Sequence, residues 1–238
     1  MFFLSEPSRK GVHRDTDSIS TYDGFNPEGY EVYYDKPRQM NNGMSSVYDT
    51  WWAKVNQGLH AYLCVNNSFS GSRVTGEGFP AASSTERTSL LHTRRYSPDL
   101  ILIYIGFNDF GNGVPIRDPE PCRFFRKNPA FFEDAYEIML KKVKHGYPNA
   151  RIICATLMRT EVKGREYWDF PEHYRGNAFE DYNNAIRRCC KKENCFLADL
   201  SALGLRYETL DGTHPTAKGH LAIANAWLTC LRELGAAT

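Results

Sequence analysis

Several protein classes are excluded by what the sequence lacks. No C-x-x-C pair and no zinc-like Cys/His spacing occurs among its seven cysteines, which are Cys64, Cys122, Cys154, Cys189, Cys190, Cys195 and Cys230. The longest apolar run, around Leu100–Ile105, is about seven residues, far short of the roughly twenty that span a bilayer. Lys and Arg (29) nearly balance Asp and Glu (28), so the chain offers no broad basic surface. We therefore expect no bound metal, no nucleic-acid partner and no membrane partner.

What remains is an ordinary globular composition, with 42% apolar and 24% charged residues and no repeat or Gly/Ser linker. At 238 residues, one large α/β domain over 1–238 fits at least as well as two small domains. The apolar start at Met1–Leu4 is too short for the core of a signal peptide. We expect a cytoplasmic protein with reduced, mostly buried thiols, and an exported longer form is the alternative.

Short apolar runs alternate with amphipathic helical patterns. Strands covered on both faces of a parallel sheet are predicted at 62–66, 99–105, 151–156 and 195–199. Helices are predicted at about 48–62, 128–146, 177–192 and from Pro215 onward, where Leu221, Ala224, Leu228 and Leu231 form the apolar face. This alternation indicates an α/β fold with helices on both faces of a parallel sheet.

Polar residues follow these strands, at the carboxyl edge where parallel sheets bind ligands. Asp211 stands three residues before His214, a spacing at which a carboxylate can accept the ring Nδ1–H and leave Nε2 as a general base. The alternative is a turn aspartate with a surface histidine. Asn108 follows the most apolar strand and could donate its amide N–H to an oxyanion, or simply turn the chain out of the sheet.

Two further segments supply small residues. In 66–73, Gly71 allows close backbone approach, so its N–H could be a second oxyanion donor, although a flexible loop is the alternative. In 16–21, Ser18 is the candidate nucleophile. The competing hydroxyls are those of Ser20, Ser70 and Ser72.

Four blocks occur in a fixed order: Asp-Ser-x-Ser at 17–20, Ser-Gly-Ser at 70–72, Gly-x-Asn-Asp at 106–109 and Asp-x-x-His at 211–214. Together they resemble the SGNH (GDSL-type) hydrolases, a superfamily of esterases, lipases and carbohydrate deacetylases. Residues 18–22 and 67–73 resemble one bacterial branch of it. The resemblance extends from about Asp15 to the last helix, and it implies a three-layer α/β/α sandwich around a central, mostly parallel five-stranded sheet.

The resemblance also implies residue roles. Ser18 would be the nucleophile, His214 its general base and Asp211 the carboxylate that orients the histidine. The backbone N–H groups of Ser18 and Gly71 and the side chain of Asn108 would form the oxyanion hole. No metal or cofactor would be needed for this ester hydrolysis.

The N-terminal segment departs from the family pattern. Thr16 occupies the usual glycine position, and residues 8–15 are polar and basic, which is unusual for a central parallel strand. The atypical segment 1–14 leaves three explanations: the strand forms despite its composition, the chain is an altered version of a longer protein, or the segment pairs elsewhere. Without that strand, Ser18 would lose its rigid support, and a displacement of about an angstrom can cost around 10²-fold in rate.

Two long loops, 107–128 and 157–176, are expected to border the site. They carry aromatic and basic side chains, namely Phe107, Phe110, Arg117, Arg123, Phe124, Phe125, Arg159, Arg165, Tyr167, Trp168, Phe170, His173, Tyr174 and Arg175. Such residues could stack on sugar faces and pair with acidic or acyl groups, or form small aromatic cores within the loops.

The sequence leads to one preferred function and two alternatives. The preferred one is a serine esterase for short-chain acyl esters, most simply acetyl esters on a carbohydrate. Because of Thr16 and the polar first segment, the alternative is a catalytically impaired member that binds a glycan or protein partner through the same cleft. The third hypothesis is a structural or assembly role for the same fold.

Overall fold

A computed structural model describes residues 11–16, 18–119 and 127–236, and of Gly11–Thr16 it describes the backbone alone. Several residues singled out from the sequence lie outside this part of the chain, namely Met1–Leu4, Asp17, Cys122, Arg123, Phe124 and Phe125.

The described elements alternate along the chain as an α/β fold requires. The strands are β1 (Gly11–Thr16), β2 (Tyr62–Asn66), β3 (Leu100–Tyr104), β4 (Arg151–Ala155), β5 (Arg159–Val162), β6 (His173–Tyr174), β7 (Asn177–Ala178), β8 (Phe196–Ala198) and β9 (Arg206–Thr209). The α-helices are α1 (Lys36–Asn41), α2 (Trp51–Gly58), α3 (Thr85–Ser89), α4 (Phe107–Gly111), α5 (Phe132–Gly146), α6 (Phe179–Glu193) and α7 (Ala217–Glu233).

The main sheet is parallel throughout, with the strand order β2-β1-β3-β4-β8. Helices α2 and α7 pack against each other in one layer, and α5 packs against both α3 and α6 in the other. The strand order accounts for this arrangement: β2 is added on one side of β1, whereas β3, β4 and β8 are added on the other. By the general rule that crossovers are right-handed, the helices of these two sets of connections cover opposite faces of the sheet. The predicted α/β fold with a parallel sheet between helices is confirmed.

Strand β1 is an interior strand of this sheet, between β2 and β3, although its sequence is polar. It pairs with β3 from Val12 opposite Leu100 to Thr16 opposite Tyr104. On its other side it pairs with β2, with an irregularity between Val12 and His13. For Gly11–Thr16, the first of the three explanations therefore holds: the strand forms despite its composition. Backbone hydrogen bonds to two neighbouring strands do not depend on side-chain polarity, which explains how this polar sequence forms a strand. Because the strand ends at Thr16, Ser18 lies just beyond the carboxyl edge of the sheet.

Two helices begin later than their sequence signals predict. Helix α5 starts at Phe132 rather than Asn128, because the Asn128 side chain accepts the N–H of Ala130 at 3.0 Å and forms a turn there. Helix α7 starts at Ala217 rather than Pro215, since Thr216 is its N-cap and accepts the N–H of Gly219 at 3.1 Å.

The apolar faces also differ from prediction in places. In α7, Ala224 and Leu231 are buried, whereas Leu221 is 46% exposed, so its assignment to the core was wrong. The helix predicted at 48–62 is shorter: a 3₁₀ turn at Val47–Asp49 precedes α2, and Tyr62 belongs to β2. The three-to-four spacing of apolar residues continued across these breaks and concealed them.

The predicted loop 157–176 contains regular structure. Its first part forms β5, which pairs in parallel with β9, and Arg159 opposes Arg206 there. This small second sheet is linked to the segment that follows β9, because the Thr160 hydroxyl donates to the carbonyl of Gly212 at 2.8 Å. The Asp211–His214 segment is thereby fixed against strand β5.

Within the described chain, six cysteines are free thiols, of which Cys154, Cys189, Cys190 and Cys230 are buried. None of the helices described has the length and apolarity needed to cross a bilayer.

Close packing of α7 on β9 generates a stability prediction. A Cβ added at Gly219 would lie 2.1 Å from the backbone oxygen of Glu208 in β9. Because backbone cannot rotate away as a side chain can, we expect Gly219→Ala to lower the free energy of unfolding by about 1–3 kcal/mol. Urea denaturation followed by circular dichroism measures this change.

The matched control is Gly146→Ala, because no atom lies within 4 Å of the Cβ it would add. We expect this variant to be as stable as the parent or slightly more stable. Equal stability of both variants would contradict the described contact between α7 and β9.

Candidate active site

Three predicted side chains from opposite ends of the chain meet at the carboxyl edge of the sheet. Ser18 lies in a 3₁₀ turn, Ser18–Ser20, just after β1, and its Oγ is 2.9 Å from Nε2 of His214. The other ring nitrogen, Nδ1, is 2.7 Å from Oδ2 of Asp211. A carboxylate can only accept, so Nδ1 carries the proton and Nε2 accepts from the Ser18 hydroxyl.

Asp211 is held in its ionised form. Burial alone would raise the pKa of this carboxyl, but the hydrogen bond and charge of His214 and two backbone N–H groups lower it far below its usual range. Those two groups belong to Thr213 and His214, and both donate to Oδ1, at 2.9 and 2.8 Å. The side chain is therefore oriented by its own turn before it contacts the imidazole.

Of the four candidate serines, Ser18 carries the hydrogen bond to His214. Ser20 is fully buried, and its Oγ accepts the indole N–H of Trp51 at 2.7 Å, so this hydroxyl is part of the core. Ser72 is 1% exposed, and the backbone N–H of Ser70 is bonded to the carbonyl of Glu31 at 2.9 Å. Of these four serines, the one that the sequence favours is therefore the one whose hydroxyl contacts the imidazole.

The loop after β2 is hydrogen-bonded to the turn at Ser18–Ser20. Nδ2 of Asn66 donates to the carbonyl of Ser20 at 2.8 Å, and Oδ1 of Asn66 accepts the backbone N–H of Ser68 at 3.2 Å. Gly71 follows with φ +80°, a left-handed conformation that favours glycine, and nothing lies within 4 Å of a Cβ added there. Gly71 thus lies at an open point of an otherwise anchored loop.

Asn108 is in the first turn of α4, immediately beyond β3, and its Nδ2 donates to the carbonyl of Ser72 at 2.8 Å. This bond fixes the amide beside the Gly71 loop, and the same nitrogen carries a second N–H. The two loops and Ser18 follow three neighbouring strands, β2, β1 and β3, so they share one edge of the sheet.

Asp109 reinforces this arrangement from inside the core. Its carboxylate accepts the backbone N–H groups of Val74 and Thr75, at 2.8 and 3.1 Å, and the Thr75 hydroxyl at 2.8 Å. Complete burial raises the pKa of Asp109 to about 6, although these three donors favour its charged form. Asp109 therefore anchors the end of the Gly71 loop to α4.

One residue of the site carried no recognisable signal in the sequence. The ring of Tyr33 is stacked on the imidazole of His214, with centroids 3.4 Å apart and planes 4° from parallel. Its hydroxyl lies 3.2 Å from Oδ2 of Asp211. Residues 22–35 have neither strand nor helix periodicity, and no motif marks Tyr33, so only the tertiary structure reveals it.

The residues of the two long loops divide into core and surface. Phe107, Phe110 and Phe170 are buried, so the small aromatic core was the correct alternative for them. Arg159 is paired with Glu172, with Nε and Oε1 2.7 Å apart. Tyr167, in contrast, is 97% exposed.

An open cavity of about 510 Å³ lies at this loop and is lined by Gly164, Arg165, Glu166, Tyr167 and Trp168. The indole of Trp168 also contacts Gly212, because a Cβ added to that glycine would lie 3.1 Å from the ring. Since Gly212 is the neighbour of Asp211, Trp168 connects the lining of this cavity to the turn that holds the imidazole.

Among the described residues, no group of three or more His, Cys, Asp or Glu side chains could hold a metal ion.

The chain was compared with known protein families and solved structures. Residues 12–168 match the model of the GDSL-like lipases and acylhydrolases. A candidate GDSL-like lipase from Bacteroides ovatus is similar in structure, with a TM-score of 0.72 and 26% identity over 95% of this chain and 100% of that one. No match was found among curated proteins.

Two further structures share the fold. One is a candidate GDSL-like lipase from Bacteroides uniformis, with a TM-score of 0.70 and 23% identity over 94% of this chain and 96% of that one. The other is a variant of an acetyl-xylooligosaccharide esterase from Geobacillus, with a TM-score of 0.56 and 19% identity over 95% of this chain and 94% of that one.

Proposed function

The chain belongs to the GDSL-like lipase and acylhydrolase family, whose members hydrolyse esters, and we propose that it is a serine esterase for acetyl esters on carbohydrates. The observation that carries this proposal is the relay from Asp211 through His214 to Ser18, with contacts of 2.7 and 2.9 Å. This is the arrangement that activates a serine hydroxyl for acyl transfer.

In the first half-reaction, Nε2 of His214 takes the proton of the Ser18 hydroxyl as Oγ attacks the ester carbonyl. The imidazolium formed in this step is stabilised by the carboxylate of Asp211, which stays ionised. The tetrahedral intermediate collapses when the same proton passes from Nε2 to the leaving alcohol. The acyl group then remains on Ser18 as an ester.

The negative oxygen of the intermediate needs donors already in position. We assign this role to the backbone N–H groups of Ser18 and Gly71 and to the amide of Asn108. Support comes from their places after three adjacent strands and from the bond of Asn108 to the Ser72 carbonyl, which orients the amide. Donors fixed in this way stabilise the charge without reorganising during the reaction.

The second half-reaction repeats these steps with water. His214 removes a proton from the water molecule, and the hydroxide attacks the acyl-enzyme carbonyl. Collapse of the second intermediate returns the proton to Ser18 Oγ and releases the carboxylic acid. No other protein group has to change its charge during the cycle.

The pairing of β1 with β2 and β3 favours this proposal over a binding protein with an impaired site. Thr16 and the polar N-terminal segment were the reasons to doubt the support beneath Ser18. With Thr16 paired opposite Tyr104, the turn at Ser18–Ser20 lies just beyond a strand that is paired on both sides. The nucleophile therefore has the rigid base that acyl transfer requires.

A fluorophosphonate probe tests the assigned nucleophile. We expect the probe to label the protein at Ser18, because His214 activates this hydroxyl. Labelling should be lost in Ser18→Ala and reduced by at least about 10³-fold in rate in His214→Ala. Intact-mass spectrometry and peptide mapping measure the label and its position.

The matched control is Ser70→Ala, which removes a serine hydroxyl near the site that has no bond to His214 in the described contacts. It should label and hydrolyse p-nitrophenyl acetate at the parent rate. A folded, monodisperse parent protein that neither labels nor hydrolyses the acetate would contradict the esterase and favour the glycan- or protein-binding alternative.

The role of Asn108 predicts a separate kinetic effect. We expect Asn108→Ala to fold and to lower kcat for p-nitrophenyl acetate by about 10²–10³-fold, because one oxyanion donor is lost. Its KM should change little, since the donor acts mainly on the transition state. An unchanged kcat in a folded variant would remove Asn108 from the oxyanion hole.

The carbohydrate part of the proposal rests on the cavity lined by residues 164–168. Its volume of about 510 Å³ is that of a small-ligand site, and Trp168 lines it while contacting the turn that carries Asp211. An indole beside polar side chains such as Arg165 and Glu166 suits a sugar, which presents both apolar faces and hydroxyl groups. The acetyl-xylooligosaccharide esterase of the same fold provides a precedent for this substrate class.

Trp168→Ala tests this assignment. For an acetylated xylooligosaccharide we expect KM to rise about tenfold, the loss of roughly 1.4 kcal/mol of binding. For p-nitrophenyl acetate, which carries no sugar, kcat/KM should stay within about threefold of the parent value. Steady-state kinetics on the two substrates separates the effects.

The matched control is Phe196→Ala, since this residue is also a partly exposed aromatic, at the amino end of β8 and so at the opposite edge of the sheet. It should leave both substrates unaffected. Equal losses on both substrates in Trp168→Ala, or no loss on either, would contradict a sugar subsite at this cavity.

A further inference from the structure

Tyr33 contacts the imidazole of His214 over its whole face. The two rings are 3.4 Å apart at their centroids and differ by 4° in orientation, which is a face-to-face sandwich. Neutral aromatic rings prefer offset or edge-to-face contacts, since two negative ring faces repel each other. A positively charged ring on the face of a phenol is attracted instead. The observed geometry thus suits the imidazolium better than the neutral imidazole.

The backbone of Tyr33 is fixed to the nucleophile turn. Its N–H donates to Oγ1 of Thr21 at 2.8 Å, and this hydroxyl donates to the carbonyl of Ser18 at 2.9 Å. Thr21 is fully buried, and its bond to the Ser18 carbonyl is buried with it, whereas the bond from Tyr33 is partly buried. Together with the Ser18–His214 contact and the ring stack, these bonds form a closed circuit around the nucleophile and its base.

The neighbourhood of Tyr33 holds its ring in place. The hydroxyl lies 3.2 Å from Oδ2 of Asp211, and the adjacent ring of Tyr34 meets it edge-on at 4.9 Å. The guanidinium of Arg38 lies 5.0 Å from the Tyr33 centroid, and its NH1 donates to the Tyr33 carbonyl at 3.2 Å. The phenol itself stays protonated, because burial and the charge of Asp211 raise the pKa of Tyr33 to about 12.

We propose that Tyr33 is a positioning residue that holds the imidazole of His214 against Ser18 and stabilises its protonated form during acyl transfer. The inference rests on the proposed function, since it assigns His214 as the general base. It extends that function by naming a residue outside the Ser-His-Asp set that controls the strength of the base.

The charged and titratable groups around this pair determine the sign of the effect. Asp211, on the same turn as His214, favours the imidazolium. Arg38 from α1 opposes it, but its guanidinium is paired with Asp35 at 3.0 Å, which offsets that charge. His220 from α7, whose pKa burial lowers to about 3, is neutral. The stack adds to the effect of Asp211. The acid limb of kcat/KM reports protonation of the free base, so a stabilised imidazolium places this limb at higher pH.

Three variants at position 33 separate the electrostatic effect of the aromatic face from the shape of the side chain. Tyr33→Leu removes the aromatic face. Tyr33→Phe keeps the face and loses the hydroxyl, and 3,4,5-trifluorophenylalanine at position 33 keeps the shape while withdrawing negative charge from the face. The matched control is Tyr30→Leu, because Tyr30 is a half-buried tyrosine of the same segment whose ring packs on Phe69 and Phe79 instead of on His214.

Two measurements are made on each variant. The first is the pH profile of kcat/KM for p-nitrophenyl acetate. The second is an NMR titration of the His214 ring proton, identified by its loss in His214→Ala, which needs no catalytic activity. A failure of the esterase proposal would therefore appear as absent turnover with an intact titration, distinct from a failure of the Tyr33 proposal.

We expect the acid limb and the NMR midpoint to move to lower pH by about 0.5–1 unit in Tyr33→Leu, with a plateau of kcat/KM about tenfold lower. Tyr33→Phe should keep the plateau of kcat/KM within about threefold of the parent value, and the acid limb and NMR midpoint within about 0.3 pH unit. The trifluorinated ring should lower the NMR midpoint relative to Tyr33→Phe. Tyr30→Leu should change neither the acid limb nor the NMR midpoint. Identical midpoints for the Phe and trifluorinated proteins, or a lowered plateau with no shift in Tyr33→Leu, would overturn the proposal.

Discussion

The contact between Ser18 Oγ and His214 Nε2, at 2.9 Å, joins residues 196 positions apart in the chain, and every chemical step proposed here passes through it. Two independent supports hold its ends. Ser18 follows β1, which is paired on both sides within the sheet. His214 follows β9, which is paired with β5 and packed under α7. Because these two supports are separate parts of the structure, the bond forms only when the whole domain is folded, and local structure alone could not produce it.

Electrostatics gives this contact its direction. The carboxylate of Asp211 is charged before any substrate arrives, because its hydrogen bonds favour the ionised form. It accepts the Nδ1 proton of His214 and so leaves Nε2 as the acceptor that faces Ser18. Tyr33 covers the face of the same imidazole, and Thr21 connects Tyr33 to the turn at Ser18–Ser20. The imidazole of His214 is therefore contacted at its edge by the carboxylate of Asp211 and at its face by the phenol of Tyr33.

The sequence predicted much of this arrangement and missed a definable part. Strands such as β3 were recognisable because fully buried strands read as continuous apolar runs, and Ser18 and His214 were recognisable from short motifs. The start of α5 was misplaced because Asn128 satisfies a turn as readily as a helix cap. Tyr33 was missed because stacking across 181 positions leaves no periodic or local signal. The β1 pairing could not be deduced from polar residues such as Arg14, since the backbone makes those bonds.

The most direct test of the central claim is a crystal structure of the protein after reaction with a diethyl phosphoryl ester. The account predicts a covalent bond from phosphorus to Ser18 Oγ, with the phosphoryl oxygen about 3 Å from the backbone nitrogens of Ser18 and Gly71 and from Nδ2 of Asn108. His214 Nε2 should face the remaining ester oxygens. A phosphoryl group on another serine, or one on Ser18 whose oxygen points away from all three donors, would contradict the account.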